Sequence, residues 1–175
     1  TQMNNFPAGQ RQVPASFSIG NKAYIATGRN VSNIFQNDLW EYDPSIDAWT
    51  QMANLPGIAR SQPFAFSIDT LGYVGGGFDQ SLNGLNDFYE YDPATDSWAP
   101  IADYAGTARF QATAFSIENL GYVGTGYDGN YLKDMFAYDP LTNTWIQRAS
   151  YSGDKLINAF SFSIDGRAYL GGGMN

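Results

Sequence analysis

Residues 72–98 read GYVGGGFDQSLNGLNDFYEYDPATDSW, and this stretch decides the fold. Gly72-Tyr73-Val74 opens a strand that stops at Gly75-Gly76-Gly77, because a glycine run weakens a strand interior. After a polar, glycine-containing loop, Asp87-Phe88-Tyr89-Glu90-Tyr91 forms a second strand that ends at Asp92-Pro93. Proline presets φ and the aspartates of Asp-Pro-Ala-Thr-Asp bond their own backbone, so the chain turns there. Trp98 then opens a third extended segment.

The same unit is written along the whole chain. NDLWEYDPSIDAW (37–49) recurs as NDFYEYDPATDSW (86–98) and as KDMFAYDPLTNTW (133–145), so the tryptophans stand 49 and then 47 residues apart. AYIATG (23–28) becomes GYVGGG, GYVGTG (121–126) and AYLGGG (168–173). Each copy follows an apolar strand that ends in Ser-Ile, at 18–19, 67–68, 116–117 and 163–164. A fixed period near 50 with four short strands per unit marks a β-propeller blade. We name the strands a to d from the axis outward. Strand a is expected at 14–19, 63–68, 113–117 and 159–164; b is the GYVGGG type, c the DFYEY type, and d begins at the tryptophan.

A glycine doublet after an apolar strand, an aromatic strand ending in Tyr-Asp-Pro and then a tryptophan resemble the kelch repeat. The resemblance implies an all-β, kelch-type β-propeller with repeats at 1–49, 50–98 and 99–145 and a partial repeat at 146–175. Thr1-Gln2-Met3 matches Thr50-Gln51-Met52, so an outer strand is expected at the start, making fifteen strands or about three and a half four-stranded blades. The expected parent is a propeller of about six to eight blades, whose neighbouring blades come from the parent chain or another subunit. Tyr73, Tyr91 and Trp98 are expected to pack between blades, and Gly75–77 to let blades crowd at the axis.

Composition narrows the class. The 175 residues carry a net charge of −8 and a sequence pI near 4.2, which argues against a nucleic-acid or anionic-membrane surface. No run approaches the roughly 18 apolar residues of a membrane span. With no histidine and no cysteine, Ser-His-Asp, Cys-His and zinc-ligand arrangements are excluded, as is the copper–radical chemistry of kelch-like oxidases. No cofactor, metal or catalytic residue is expected. The lysine-poor chain, rich in Asn, Thr, Ser and Tyr, resembles secreted bacterial kelch proteins, which implies an extracellular or cell-surface location.

Loops on a rigid scaffold carry function. The b–c loops, 29–37, 78–86 and 127–133, vary most and share a face with the d–a loops. Arg11, Arg60 and Arg109 recur at one repeat position before strand a, with Leu156 in the fourth copy. They are expected either to ring the channel mouth for an anionic ligand, as kelch resemblance implies, or to lock loops together. Asp38, Asp87 and Asp134 recur as caps at the start of strand c. Arg29, Asp79 and Asp128, with the aromatics Phe35, Phe78, Tyr127 and Tyr131 expected in solvent, complete the candidate ligand site for a protein or a surface glycan. The expected function is non-catalytic recognition. The alternatives are a structural part of a larger surface or secretion assembly, or a sugar-modifying enzyme on a kelch scaffold.

Overall fold

The computed structural model describes residues 3–175. Every strand is five residues long. The strands are β1 (Ala15–Ile19), β2 (Lys22–Ala26), β3 (Leu39–Asp43), β4 (Ala48–Met52), β5 (Phe64–Ile68), β6 (Leu71–Gly75), β7 (Phe88–Asp92), β8 (Ser97–Ile101), β9 (Thr113–Ile117), β10 (Leu120–Gly124), β11 (Met135–Asp139), β12 (Thr144–Arg148), β13 (Phe160–Ile164) and β14 (Arg167–Gly171). They form three four-stranded antiparallel sheets, β1–β4, β5–β8 and β9–β12, and a two-stranded sheet, β13–β14. These are blades 1 to 4 in chain order. The expected outer strand at the start is not among them: Thr1 and Gln2 lie outside the described residues, and Met3 is irregular.

Strands β1, β5, β9 and β13 stand side by side around the axis. Side chains alternate across a strand, so each sends serines to the channel and large apolar groups to the other side, which faces the next blade in β1, β5 and β9 and is open in β13. In β1, Ser16 and Ser18 are exposed while Phe17 and Ile19 are buried. Two cores result. The first joins blades 1 and 2 through Phe17, Tyr24, Leu39, Val74 and Tyr91; the second joins blades 2 and 3 through Phe66, Tyr73, Phe88, Val123 and Tyr138.

The tryptophans serve these junctions. Trp98 packs on Tyr91 at 4.9 Å and donates from Nε1 to the Ala53 carbonyl (2.8 Å) beyond the outer strand of blade 1. Trp145 makes the same bond to Ala102 (3.0 Å) and packs among Phe88, Tyr104 and Tyr138.

The glycines divide the work differently from expectation. Blade-to-blade approach falls at Gly72 and Gly121, where a Cβ would lie 2.2 Å from the Phe17 ring and 2.0 Å from the Phe66 ring of the preceding blade. The 75–77 run instead clears room within its own blade. Gly76, at φ +62°, lies under Phe64, whose ring would be 2.0 Å from an added Cβ. Blade 4 repeats this pair as Phe160 over Gly172, whereas blades 1 and 3 carry Ala15 with Thr27 and Thr113 with Thr125. A large residue in strand a thus goes with glycine, and a small one with threonine.

Candidate functional site

Alternating strand direction brings the d–a linkers (53–63, 102–112, 149–159) and the b–c loops (27–38, 76–87, 125–134) to one face. Their backbones interlock across blade boundaries. Gly28 N donates to the Arg60 carbonyl (3.0 Å), Gly77 N to that of Arg109 (2.9 Å) and Gly126 N to that of Leu156 (2.7 Å).

The three arginines turn inward from these main-chain bonds. Arg60 grips Asp87 with two bonds (2.7 and 2.6 Å), and Arg109 grips Asp134 likewise (2.5 and 2.8 Å); neither arginine side chain has exposed surface. Arg11 makes the same fork to Asp38 at 2.6 Å, with 5% of its side chain exposed. Each guanidinium also donates to the carbonyl that ends its own strand b, at Thr27, Gly76 or Thr125. Burial disfavours the Arg109 cation most, but the Asp134 hydrogen bond and the nearby Tyr104, Asp134 and Asp128 together outweigh it, so its pKa rises. The expectation of an anion-receptive arginine ring is therefore corrected. The cations are consumed by Asp38, Asp87 and Asp134, which do more than cap strand c. Arg60 and Arg109 each tie the preceding blade, through the backbone, to their own blade, through the fork.

Four further expectations change. Phe35 and Phe78 are buried (7% and 8% exposed), because they form a ladder under the loops: Phe35–Phe78 at 5.5 Å, Phe78–Phe110 at 4.9 Å, Phe110–Tyr127 at 5.5 Å. Asp79 and Asp128 are spent on their own loops. Asp79 accepts from Ser81 N, Asn83 N and Asn83 Nδ2, and Asp128 from Asn130 N and the Thr107 hydroxyl. Asn83 holds the Asp79 carboxyl below the usual carboxylate range, and Thr107 does so for Asp128. Arg29 is half-buried and donates to Gln12. Tyr127 is half-buried against Phe110, and Tyr131 keeps 40% of its surface in solvent.

The centre of the face is a feature that sequence reasoning passed over. Val13-Pro14, Gln62-Pro63, Gln111-Ala112 and Asn158-Ala159 ring the axial mouth and line a depression of about 270 Å³. The first residue of each dipeptide is left-handed, with φ of 46°, 54°, 57° and 53°. Such strain costs on the order of 1–3 kcal/mol per residue and gathers at functional sites. Gln62 N bonds the Val13 carbonyl (3.2 Å) and Asn158 N that of Gln111 (3.1 Å), while Gln62 Oε1 is buried with no hydrogen-bond partner. The mouth offers carboxamides and no charge. Below it the channel wall carries Ser16, Ser18, Ser67, Ser116, Ser161 and Ser163. The available signal was the recurrence of a carboxamide two places before strand a in blades 2, 3 and 4, at Gln62, Gln111 and Asn158.

The family model described as the KLHDC2/KLHL20/DRC7 Kelch-repeats domain matches residues 1–173. The chain belongs to the kelch-repeat family. Among solved structures, one titled "Structure of YjhT" is similar over 99% of this chain, with a TM-score of 0.82 at 19% identity, a likeness of fold. The chain spans 62% of the length of that structure. No curated protein matches the sequence. The described residues thus form part of a kelch propeller: three four-stranded blades and the two inner strands of another. Kelch propellers generally bind proteins. Among the described residues, no helix is long and apolar enough to cross a membrane.

Proposed function

We propose that this kelch domain is a non-catalytic recognition module that holds a segment of a partner protein on the face formed by the d–a linkers and b–c loops. The carrying observation is the axial mouth, where four left-handed residues surround an uncharged, carboxamide-lined depression containing a buried, unpartnered acceptor at Gln62. A peptide suits it, because main-chain N–H groups supply the donors that carboxamide and carbonyl oxygens accept. Burial of Phe35 and Phe78 removes two of the four aromatic platforms a glycan would have stacked upon, so the observations favour protein over glycan.

The non-catalytic part of the reading rests on the direction of the perturbed groups. Burial raises Tyr24, Tyr73 and Tyr91 and pushes Tyr138 up to about 12, while hydrogen bonds lower Asp43, Asp79 and Asp128. All these shifts lead away from neutrality, whereas proton-transfer catalysis asks for the reverse. The same reading includes an extracellular or cell-surface setting, supported by the lysine-poor, Asn- and Tyr-rich composition.

The test is selection of short peptides from a random displayed library on the immobilised protein, followed by hydrogen-exchange footprinting of a selected peptide. Protection of residues 62–63 and 111–112 is expected. Protection confined to the c–d turns, or binding on a glycan array with no peptide enriched, would refute the reading.

A further inference from the structure

Two neighbouring b–c loops end in aliphatic side chains held in solvent. Val31 and Ile34 of blade 1 are 67% and 56% exposed, and Leu82 of blade 2 is 73% exposed. Ile58, in the linker between these blades, is 57% exposed. It is joined to the first loop through Arg60, whose Nε bonds the Ile58 carbonyl and whose backbone N bonds the Gln36 carbonyl.

These tips are not floppy ends. Asn30 Oδ1 accepts from Ser32 N and Ile34 N, both at 3.0 Å, and Asp79 Oδ1 accepts from Ser81 N and Asn83 N at 2.9 and 2.8 Å. The Gln80 carboxamide crosses the blade boundary, accepting from Phe35 N (3.0 Å) and donating to the Asn33 carbonyl (3.2 Å). The Phe35–Phe78 contact lies beneath.

Leu82 is the residue the fold does not explain. It is held left-handed at φ +67°, at the position where blade 1 has Asn33 at φ +62°. Asparagine tolerates that backbone through its short polar side chain, and leucine has no such relief. A strained backbone with its apolar side chain in water serves neither stability nor solubility, and strain of this kind collects at binding sites.

Charge narrows the partner. Residues 30–37 and 80–86 contain no charged side chain, in a chain of net charge −8. Aspartates open every c–d turn on the opposite face (Asp43, Asp92, Asp139), while beside the tips Asp38 and Asp87 are paired with arginines and Asp79 is bonded within its own loop. Around the tips, Arg11 and Arg60 are committed to Asp38 and Asp87, and Arg29 to Gln12.

We infer that Leu82, with Val31, Ile34 and Ile58, forms an apolar anchor on the rim over blades 1 and 2, and that it takes an uncharged, apolar segment of the partner protein. This rests on the recognition reading and adds to it a second contact, off the axis, together with the chemistry of the partner. Burial of a central apolar anchor in a preorganised setting is where binding energy concentrates.

The experiment uses the peptides selected above and two variants of the same chain. Leu82→Asn copies the blade 1 residue and keeps the left-handed backbone, so its melting temperature should be unchanged or higher. The inference expects the selected peptides to be uncharged and apolar, and to bind L82N about tenfold or more weakly. Enrichment of acidic peptides, or undiminished binding to L82N, would overturn it. The double variant Gln62→Ala, Gln111→Ala separates the two claims. If it loses binding while L82N does not, recognition at the mouth stands and the anchor falls; if neither variant loses binding, both fall.

Discussion

Replacing Arg109 by alanine should destabilise the protein by about 3 kcal/mol, the lower end of the roughly 3–5 kcal/mol for breaking a buried ion pair. All five guanidinium N–H groups are used: Nε to the Thr107 carbonyl, Nη1 to Thr125 O and Asp134 Oδ1, Nη2 to Thr107 Oγ1 and Asp134 Oδ2. The guanidinium carbon also lies 5.1 Å from the Tyr104 ring centre. Truncation strands the Thr125 carbonyl and leaves Asp134 unpaired. Asp134 keeps 26% of its side chain in solvent, which is why the lower end applies. For a chain of this size about 3 kcal/mol corresponds to roughly 6–12 °C in melting temperature. Urea unfolding followed by tryptophan fluorescence measures it, provided the slope is unchanged between variants. Arg109→Lys should recover only part, because an ammonium cannot make the two-point contact. The cycle through Asp134→Ala should give a coupling of about 1–3 kcal/mol. A normal unfolding midpoint for Arg109→Ala, together with weakened peptide binding, would refute the structural role and return this arginine to the ligand site.

Gly76→Thr alone should cost about 2–4 kcal/mol, from overpacking against Phe64 and a β-branched residue at positive φ. Combined with Phe64→Ala it should cost less than the sum by about 1–2 kcal/mol, since the pair then copies Ala15 and Thr27; strict additivity in urea titrations would refute the volume exchange. The lowered Asp79 stabilises its loop as a carboxylate, so that contribution is present above the ordinary carboxylate range of about 3.9 and is lost as pH falls through the lower folded value. The blade 1 loop, capped by the non-titrating Asn30, should keep its amide exchange protection over that interval, and equal loosening of both loops would contradict this. The 175-residue polypeptide of 19.2 kDa, expressed alone, should self-associate, because Phe160, Phe162, Ile164 and Tyr169 are 46–63% exposed while Phe64, Phe66, Ile68 and Tyr73 of blade 2 are at most 4% exposed. A monodisperse monomer in size-exclusion chromatography would refute it.

Much of the fold was legible because a blade repeats its own turn chemistry. Asp-Pro after an aromatic strand and Ser-Ile before a turn locate strand ends within about a residue, and the period orders them. The direction of a long side chain is not local information. Phe35 and Phe78 sit in polar loops and read as solvent-facing, yet each finds the ring of the next blade, a contact that exists only after blades are placed side by side. The mouth residues escaped for a related reason. Left-handed backbone at Val13, Gln62 and Gln111 is imposed by the linker meeting its neighbour, and none of these residue types announces it.

The arginines carried a signal that recurrence at one position could not display but recurrence at two could. Arg11–Asp38 and Arg60–Asp87 are 27 residues apart, and Arg109–Asp134 are 25 apart. The same deficit of two appears between the tryptophans, 49 and then 47 residues, and it falls in the b–c loop of blade 3. The fork is therefore kept while the loop between its members changes length. It clamps the two ends of each b–c loop, at the strand b carbonyl and at the start of strand c, so both ends stay fixed whatever the residues between them. That clamp lets Asn33, Leu82 and Gly129 differ in adjacent blades without disturbing either core, and it puts the capacity to vary at the tips of the face proposed for recognition.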